Sequence, residues 1–116
     1  MSKIGAAADE LNEALEDAED ALAALFNVPA AVPLDDARSV HFGKYDSAWR
    51  IYVMSATGQT VLSTSIALRD RVAIAARLPA LLEELRKEAR IALNNVESAT
   101  MQTRAFAAAL NAERPT

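Results

Sequence analysis

The chain lacks cysteine altogether, and its 116 residues include one histidine, His41, and three glycines. Without cysteine it forms no disulfide, thiolate metal site or cysteine nucleophile. A single histidine excludes a multi-histidine metal site within one chain, and the isolated Gly5, Gly43 and Gly58 form no phosphate-binding loop. No apolar run approaches the roughly 20 residues of a membrane span, and the start shows no signal-peptide pattern, so we expect a soluble, cytoplasmic protein.

The residues that catalysis would need are also scarce. His41 alternates with Val40 and Phe42, which predicts that it lies on the more exposed face of a strand. Asp46, an acidic residue five positions after His41, falls in a predicted turn, so no Ser-His-Asp set is assembled. The paired carboxylates near the start lack the Glu-x-x-His motifs of di-metal bundles. We therefore predict a protein without enzymatic activity, catalytic residues, metal or cofactor.

The composition favours one globular domain. Hydrophobic residues make up 52% of the chain and charged residues 24%, which excludes a disordered chain. The patterns below predict an α+β fold over residues 1–116, with an acidic helix in residues 1–27, an antiparallel three-stranded meander in residues 39–65 and a helical segment in residues 66–112. This segment holds a short helix and then a long one, and we expect the helices to pack between subunits.

Apolar residues of the first helix recur at alternating steps of four and three, the heptad spacing of a coiled-coil seam. The seam consists of Ile4, Ala8, Leu11, Leu15, Ala18, Leu22 and Leu25. Asn27-Val28-Pro29 ends this helix, because the residue before a proline disfavours the helical conformation. The narrow seam is typical of a helix that pairs with another helix.

The middle of the chain alternates apolar and polar residues, as β-strands do. The predicted strands are Ser39–Lys44, Ala48–Ser55 and Thr60–Thr64. The preceding residues 27–38 are interpreted as an extended connector, in which Pro33 argues against a central strand. Gly58, in the second turn, supplies a positive φ if the turn needs one.

The second strand has two different faces. Trp49, Ile51 and Val53 share one face, and Arg50, Tyr52 and Met54 share the other. An arginine, an aromatic residue and a methionine together are typical of protein interfaces, so the second face is a candidate partner surface. Alternatively, a helix covers this face and leaves the Trp49 face for another helix or subunit.

The last third of the chain has helical spacing throughout. Residues 66–78 are predicted to form the short helix, capped by Ser65, and Pro79 fits the first turn of the long helix. Apolar and small residues continue through this helix in five heptads. They are Leu78, Leu82, Leu85, Ala89, Ala92, Val96, Ala99, Thr103, Phe106 and Leu110.

The length of that helix predicts self-association. The 34 residues from Pro79 to Ala112 would span about 50 Å, whereas a domain of this size is about 30 Å across. The projecting end is apolar, and a second chain is the simplest cover for it. We predict a homo-oligomer, a dimer or larger, with the alternative that a bend at Asn94-Asn95 folds the end back. The predicted interface residues are Leu11, Leu15, Leu22, Ala99, Phe106 and Leu110.

Charge is distributed unevenly along the chain. Residues 1–37 carry a net charge of −8 and residues 38–116 carry +4, so the total is −4. The two parts are expected to attract each other, within one chain or between chains; alternatively, the acidic face binds a basic protein. Direct nucleic-acid binding is disfavoured, because it depends on clustered Lys and Arg. The candidate partner-binding residues are Glu13, Glu16, Asp17, Asp20, Arg50, Tyr52 and Met54.

A second hypothesis is an oligomeric protein that binds or sequesters a small anionic, nucleotide-like ligand. Hydroxyl groups, free amides at a helix start and guanidinium groups together can hold a phosphate or a carboxylate. The residues for such a site are Ser63, Ser65, Arg69 and Arg71.

An acidic helix followed by the segments HFGKYDSAWRIYV and VLSTSIALRDRVAIAARLPALLEEL resembles the arrangement in small phage-type proteins. The resemblance covers residues 40–85 and includes no catalytic or binding motif. It implies an accessory or inhibitor protein that acts by binding.

Overall fold

The computed structural model of the chain describes residues 3–61 and 67–114 and has an α+β fold, as predicted. One helix precedes the sheet along the chain, and a second helix follows it. The elements are α1 (Lys3–Leu25), β1 (Ala30–Pro33), β2 (Ser39–Tyr45), β3 (Ala48–Ser55), β4 (Gly58–Val61) and α2 (Leu68–Ala112). The acidic helix therefore ends before Asn27, where the sequence predicted its end.

The sheet has four antiparallel strands in the order β1-β2-β3-β4, so the predicted three-stranded meander is one strand short. The additional strand β1 comes from the predicted connector and pairs with β2 through Phe42 and Ser39 at its ends. Pro33 is tolerated because β1 lies at the edge of the sheet, where a missing N–H disrupts no second ladder. The third predicted strand begins two residues earlier, at Gly58, and its residues 62–64 lie outside the described part of the chain.

Both turns of the meander use left-handed backbone. Asp46 and Ser47 have φ angles of 51° and 67°, as in the two-residue turn that matches the twist of a hairpin. Gly58 has a φ angle of 130°, which confirms the predicted positive φ at this position. Its absent Cβ would meet no atom within 4 Å, so glycine is needed there for conformation and not for space.

One face of the sheet and the two helices enclose the core. Phe42, a fully buried residue of β2, stacks on Trp49 with 5.5 Å between ring centroids. The predicted division of β3 is confirmed: Ile51 and Val53 are buried in the core, and Tyr52 points to the opposite face. The core cluster consists of Leu15, Val32, Val40, Phe42, Ile51, Val53, Ile74, Leu81 and Leu85.

The leucine seam of α1 packs within its own chain, which corrects part of the predicted oligomer interface. Leu15 is 1% exposed in the core, and Leu11 and Leu22 are partly buried against it. These leucines face the sheet and α2 because the chain has enough apolar surface of its own to cover them. Leu25, at the end of the seam, is 74% exposed. The side chain of Ile4 lies outside the described part.

The helical segment is a single 45-residue helix, so the predicted division into a short and a long helix is wrong. Pro79 lies inside α2, and its exposed ring leaves the core side of the helix undisturbed. The alternative bend at Asn94-Asn95 is absent, because both residues are helical. The predicted cap Ser65 lies outside the described residues, and Ala67 precedes the first turn.

A small network fixes the start of α2 to the loop between β1 and β2. The Arg38 guanidinium contacts the carboxylates of Asp35 at 2.6 Å and Asp70 at 3.1 Å. The hydrogen bond from Arg38 is the main reason that the pKa of Asp35 is lowered. Further along α2, Arg77 Nε donates to the carbonyl of Pro33 at 2.9 Å. These contacts orient α2 so that it packs across β1 and β2.

The fixed direction of α2 makes the molecule long. It measures 81 × 27 × 24 Å, with a radius of gyration of 20.4 Å, whereas about 13 Å is usual for a compact chain of about 100 residues. Among the described helices, none combines the length and the apolar character needed to cross a membrane.

Candidate interaction surfaces

The second half of α2 projects from the domain. Leu85 is the last fully buried residue of this helix, and every residue from 93 to 114 is exposed. We call residues 93–112 the α2 extension. At 1.5 Å per residue it is about 30 Å long. The projecting helix end predicted from the sequence is therefore present.

The apolar face of the α2 extension continues the face that packs on the sheet. At about 100° per residue, its apolar and small positions fall within about 40° of the direction of Ile74, which is fully buried. Leu81 and Leu85 lie within the same angle. The face, which we call the extension stripe, consists of the half-buried Ala92 at the edge of the domain and, within the α2 extension, of Val96, Ala99, Thr103, Phe106 and Leu110. Phe106 is 65% exposed and Val96 is 62% exposed, so this face is a core surface that the chain itself leaves uncovered.

Two threonines on or beside the extension stripe have their hydroxyl groups satisfied within the helix. Thr103 Oγ1 donates to the carbonyl of Ala99 at 2.7 Å, and Thr100 Oγ1 donates to that of Val96 at 2.8 Å. These bonds leave no hydroxyl proton that needs a new partner on burial. Together with Arg104 the four residues line a shallow hollow. The stripe can therefore be buried in an apolar interface without leaving a threonine hydroxyl group that lacks a hydrogen-bond acceptor.

The predicted acidic residues form an exposed face on α1. Glu13, Glu16, Asp17 and Asp20 point away from the core, on the side of the helix opposite Leu15. The salt bridges that join described residues link Arg38 to aspartates and Arg86 to Glu83, and none of them involves α1. The expected attraction between the acidic segment and the basic remainder is thus not expressed as salt bridges to this face within the described chain.

Glu19 is an acidic residue of α1 whose role the sequence analysis missed. Its Oε2 accepts a hydrogen bond from the backbone N–H of Ile51 at 2.7 Å. Burial is the main reason that the pKa of Glu19 is raised, with that hydrogen bond and the charge of Arg50 acting in the opposite direction. The signal was available, because Glu19 follows Leu15 by four residues and precedes Leu22 by three, at the border of the seam.

The second group of predicted partner residues lies on the other face of the sheet. Tyr52 stacks on His41 with 5.1 Å between centroids, and Tyr45 lies 6.0 Å from Tyr52. Met54 and Arg50, which share this face by register, are half-buried. Since α1 packs on the opposite face, the structure does not bring the acidic residues together with Arg50, Tyr52 and Met54.

His41 lies on the face predicted for it and bonds to a hydroxyl group. Its Nε2 is 2.7 Å from Ser39 Oγ. Burial lowers its pKa, and no carboxylate contributes to that shift. A Ser-His pair needs a third group that orients the ring before it can act as an activated nucleophile. None of the described carboxylates does so, and the described residues contain no group of three His, Asp or Glu that could hold a metal ion.

The predicted anion site is only partly within the described chain. Ser63 and Ser65 lie outside it, Arg69 is exposed and Arg71 is half-buried. The first turn of α2 already contains the carboxylate of Asp70, which is paired with Arg38. A carboxylate in that position already interacts with the positive end of the helix dipole, and its negative charge repels an anionic ligand there.

A second apolar surface lies between the two helices. It is a groove that the sequence did not predict, because it combines residues more than fifty positions apart. Its lining residues are Ala18, Ala21, Leu22, Leu25, Leu78, Pro79 and Leu82.

Comparison with known proteins gives no further guide to these surfaces. No protein-family model, no curated protein and no solved structure matches the chain at a significant level. The resemblance to small phage-type proteins therefore stays an interpretation of the sequence.

Proposed function

We propose that this chain is a non-enzymatic interaction protein that self-associates through the α2 extension and presents the acidic face of α1 to a basic protein partner. The observation that supports the proposal most is the extension stripe. Its residues lie on the same side of α2 as the buried residues of that helix and have the same spacing. They nevertheless come after the last residue of the helix that is fully buried. An accessory or inhibitor role, which the phage-type resemblance implies, fits a protein that acts through surfaces.

Three large side chains of the stripe gain free energy if a second chain covers them. Val96, Phe106 and Leu110 are each at least half exposed. Fully burying such a side chain contributes roughly 1.5–3 kcal/mol relative to leaving it in water. In addition, most of the stability of helices in proteins comes from packing of their apolar face, so the α2 extension gains stability from a neighbouring helix. A second copy supplies the same stripe and the same need for cover.

The acidic face remains available in such an assembly. It belongs to α1, which packs on β3, whereas the extension projects from the other helix. Self-association through the α2 extension thus leaves Glu13, Glu16, Asp17 and Asp20 in solvent, and each added copy repeats the negative charge.

Light scattering on the purified chain tests self-association. We expect the wild-type mass to be a multiple of 12.4 kDa at micromolar concentration. The double variant Phe106→Glu, Leu110→Glu is expected to be monomeric, because it places two carboxylates in the interface. Met101→Glu is the matched control: Met101 is 73% exposed on the opposite side of the helix, so this variant keeps the wild-type mass. A monomeric wild type, or a double variant that still assembles, contradicts the proposal.

A further inference from the structure

We infer that two copies pair through their α2 extensions in antiparallel orientation, with Met101 of one copy level with Met101 of the other. The inference rests on the proposed self-association and specifies the partner surface and its register. The occupant of the extension stripe is the same stripe of a second copy, running in the opposite direction.

The position of the sheet excludes a parallel pair in register. The stripe and the sheet lie on the same side of α2, since Ile74, Leu81 and Leu85 of that side are buried in the core. Paired helices lie about 8–10 Å apart. A parallel pair would therefore place two sheets between its helices, where there is no room for them. An antiparallel pair places the two domains at opposite ends.

The spacing of the stripe fits the antiparallel pair along its whole length. Its steps of 4, 3, 4, 3 and 4 residues, from Ala92 to Leu110, read the same in both directions. With Met101 at the centre, every position of the stripe therefore meets a position of the partner stripe. Leu110 lies opposite Ala92, Phe106 opposite Val96, and Thr103 opposite Ala99.

These pairings also match large residues with smaller ones. In the antiparallel pair every layer contains one larger and one smaller side chain, which favours even packing between the helices. In a parallel pair, phenylalanine would meet phenylalanine in one layer and alanine would meet alanine in another. The size pattern therefore favours the same orientation as the position of the sheet.

The length of α2 fits as well. Leu110 reaches the level of Ala92, a half-buried residue at the edge of the domain, and the helix ends two residues later at Ala112. The helix thus ends before it reaches the level of Leu85 in the second copy, where the core begins.

Cysteine crosslinking tests the register directly, since the chain has no cysteine of its own. The variants Ala92→Cys and Leu110→Cys are oxidised separately and as an equal mixture, and light scattering is measured on each. We expect a disulfide-linked dimer in the mixture and background levels in each variant alone. Like positions lie about 27 Å apart along the axis of the antiparallel pair, well beyond disulfide reach.

The outcomes separate the two proposals. A dimer by light scattering in which each single variant crosslinks to itself overturns the antiparallel register and retains self-association. A monomer by light scattering with no crosslink overturns both.

A nitroxide spin label on Asn111→Cys gives a second measurement that leaves the stripe intact. In the antiparallel pair the two labels lie about 30 Å or more apart along the axis. A well-defined separation far below this value would indicate parallel chains and overturn the inference, even if Leu110→Cys weakens the interface.

Discussion

Glu19 of α1 and Ile51 of β3 are joined by a hydrogen bond of 2.7 Å from the backbone N–H of Ile51 to the carboxylate. Ile51 lies next to Tyr52, which is paired with Val61, the last described residue of β4. The side chain of Glu19 thus accepts a hydrogen bond from the backbone of the sheet and fixes α1 on it. Its acidic neighbours in the helix point into solvent, so one carboxylate stabilises the fold and the others form a surface.

Removing that acceptor is expected to destabilise the protein. Ile51 is fully buried, and Glu19→Ala leaves its N–H without the acceptor, at a cost of about 1–3 kcal/mol in the free energy of unfolding. Glu19→Gln is the matched control, because the amide carbonyl keeps an acceptor of the same reach. Urea denaturation at pH 7, followed by the fluorescence of Trp49, measures both. Equal stability of Glu19→Ala and Glu19→Gln would show that this bond contributes nothing to folding.

The wild-type protein and Glu19→Gln together reveal the protonation of Glu19. Burial raises its pKa above the ordinary value of 4.5, so the folded protein holds this proton more tightly than the unfolded chain. The resulting stabilisation is fully present below pH 4.5 and is lost as the pH rises through the higher pKa of the folded state. We expect wild type to gain stability relative to Glu19→Gln as the pH falls from 7 to 4. A constant difference over this range would contradict the raised pKa.

Local patterns predicted those parts of the fold that depend on one element at a time. The seam through Leu11, Leu15 and Leu22, the two faces of β3 and the projecting helix end all follow from residue spacing within a single segment. Gly58 was placed correctly for the same reason, since a turn has local conformational needs. The heptads around Phe106 predicted an uncovered helix face from their spacing and from the length of the helix that carries them.

Tertiary context decided the parts that the sequence did not reveal. Residues 27–38 were interpreted as a connector in which Pro33 argued against a central strand; part of it forms the edge strand β1, which tolerates proline because only one side of β1 is paired. Pro79 suggested a helix boundary, whereas packing of Ile74 and Leu81 on the same core holds α2 together across it. The seam of α1 indicated another chain, and the chain's own sheet covers Leu15 instead. Partners distant in sequence determined each of these outcomes.

The acidic face of α1 is expected to control binding to basic partners. Its four carboxylates are exposed and form no salt bridge within the described chain. The quadruple variant with Lys at positions 13, 16, 17 and 20 should therefore abolish binding to a labelled lysine-rich peptide without changing the oligomeric mass. Fluorescence anisotropy in low salt, repeated at physiological salt, measures the affinity, which added salt weakens.

The control for that variant moves charge elsewhere on the surface. Asp36→Lys, Glu113→Lys reverses two exposed acids outside α1, and it should bind the peptide almost as well as wild type. If the quadruple variant binds with wild-type affinity, or if both variants lose affinity equally, the acidic face of α1 is not the binding surface.

Removal of the α2 extension is expected to separate folding from assembly. A chain that ends at Ala92 keeps every residue of the core cluster, since the last of them is Leu85, nearly two helical turns before the new end. We expect it to unfold cooperatively, with the near-ultraviolet signal of Trp49 retained. Its midpoint of thermal unfolding should be independent of protein concentration, whereas that of the full chain should rise with concentration, because assembly stabilises the folded state by mass action. The double variant Phe106→Glu, Leu110→Glu should match the shortened chain in this respect. A shortened chain that fails to fold, or one whose midpoint still rises with concentration, would show that the extension is part of the domain or that assembly uses another surface.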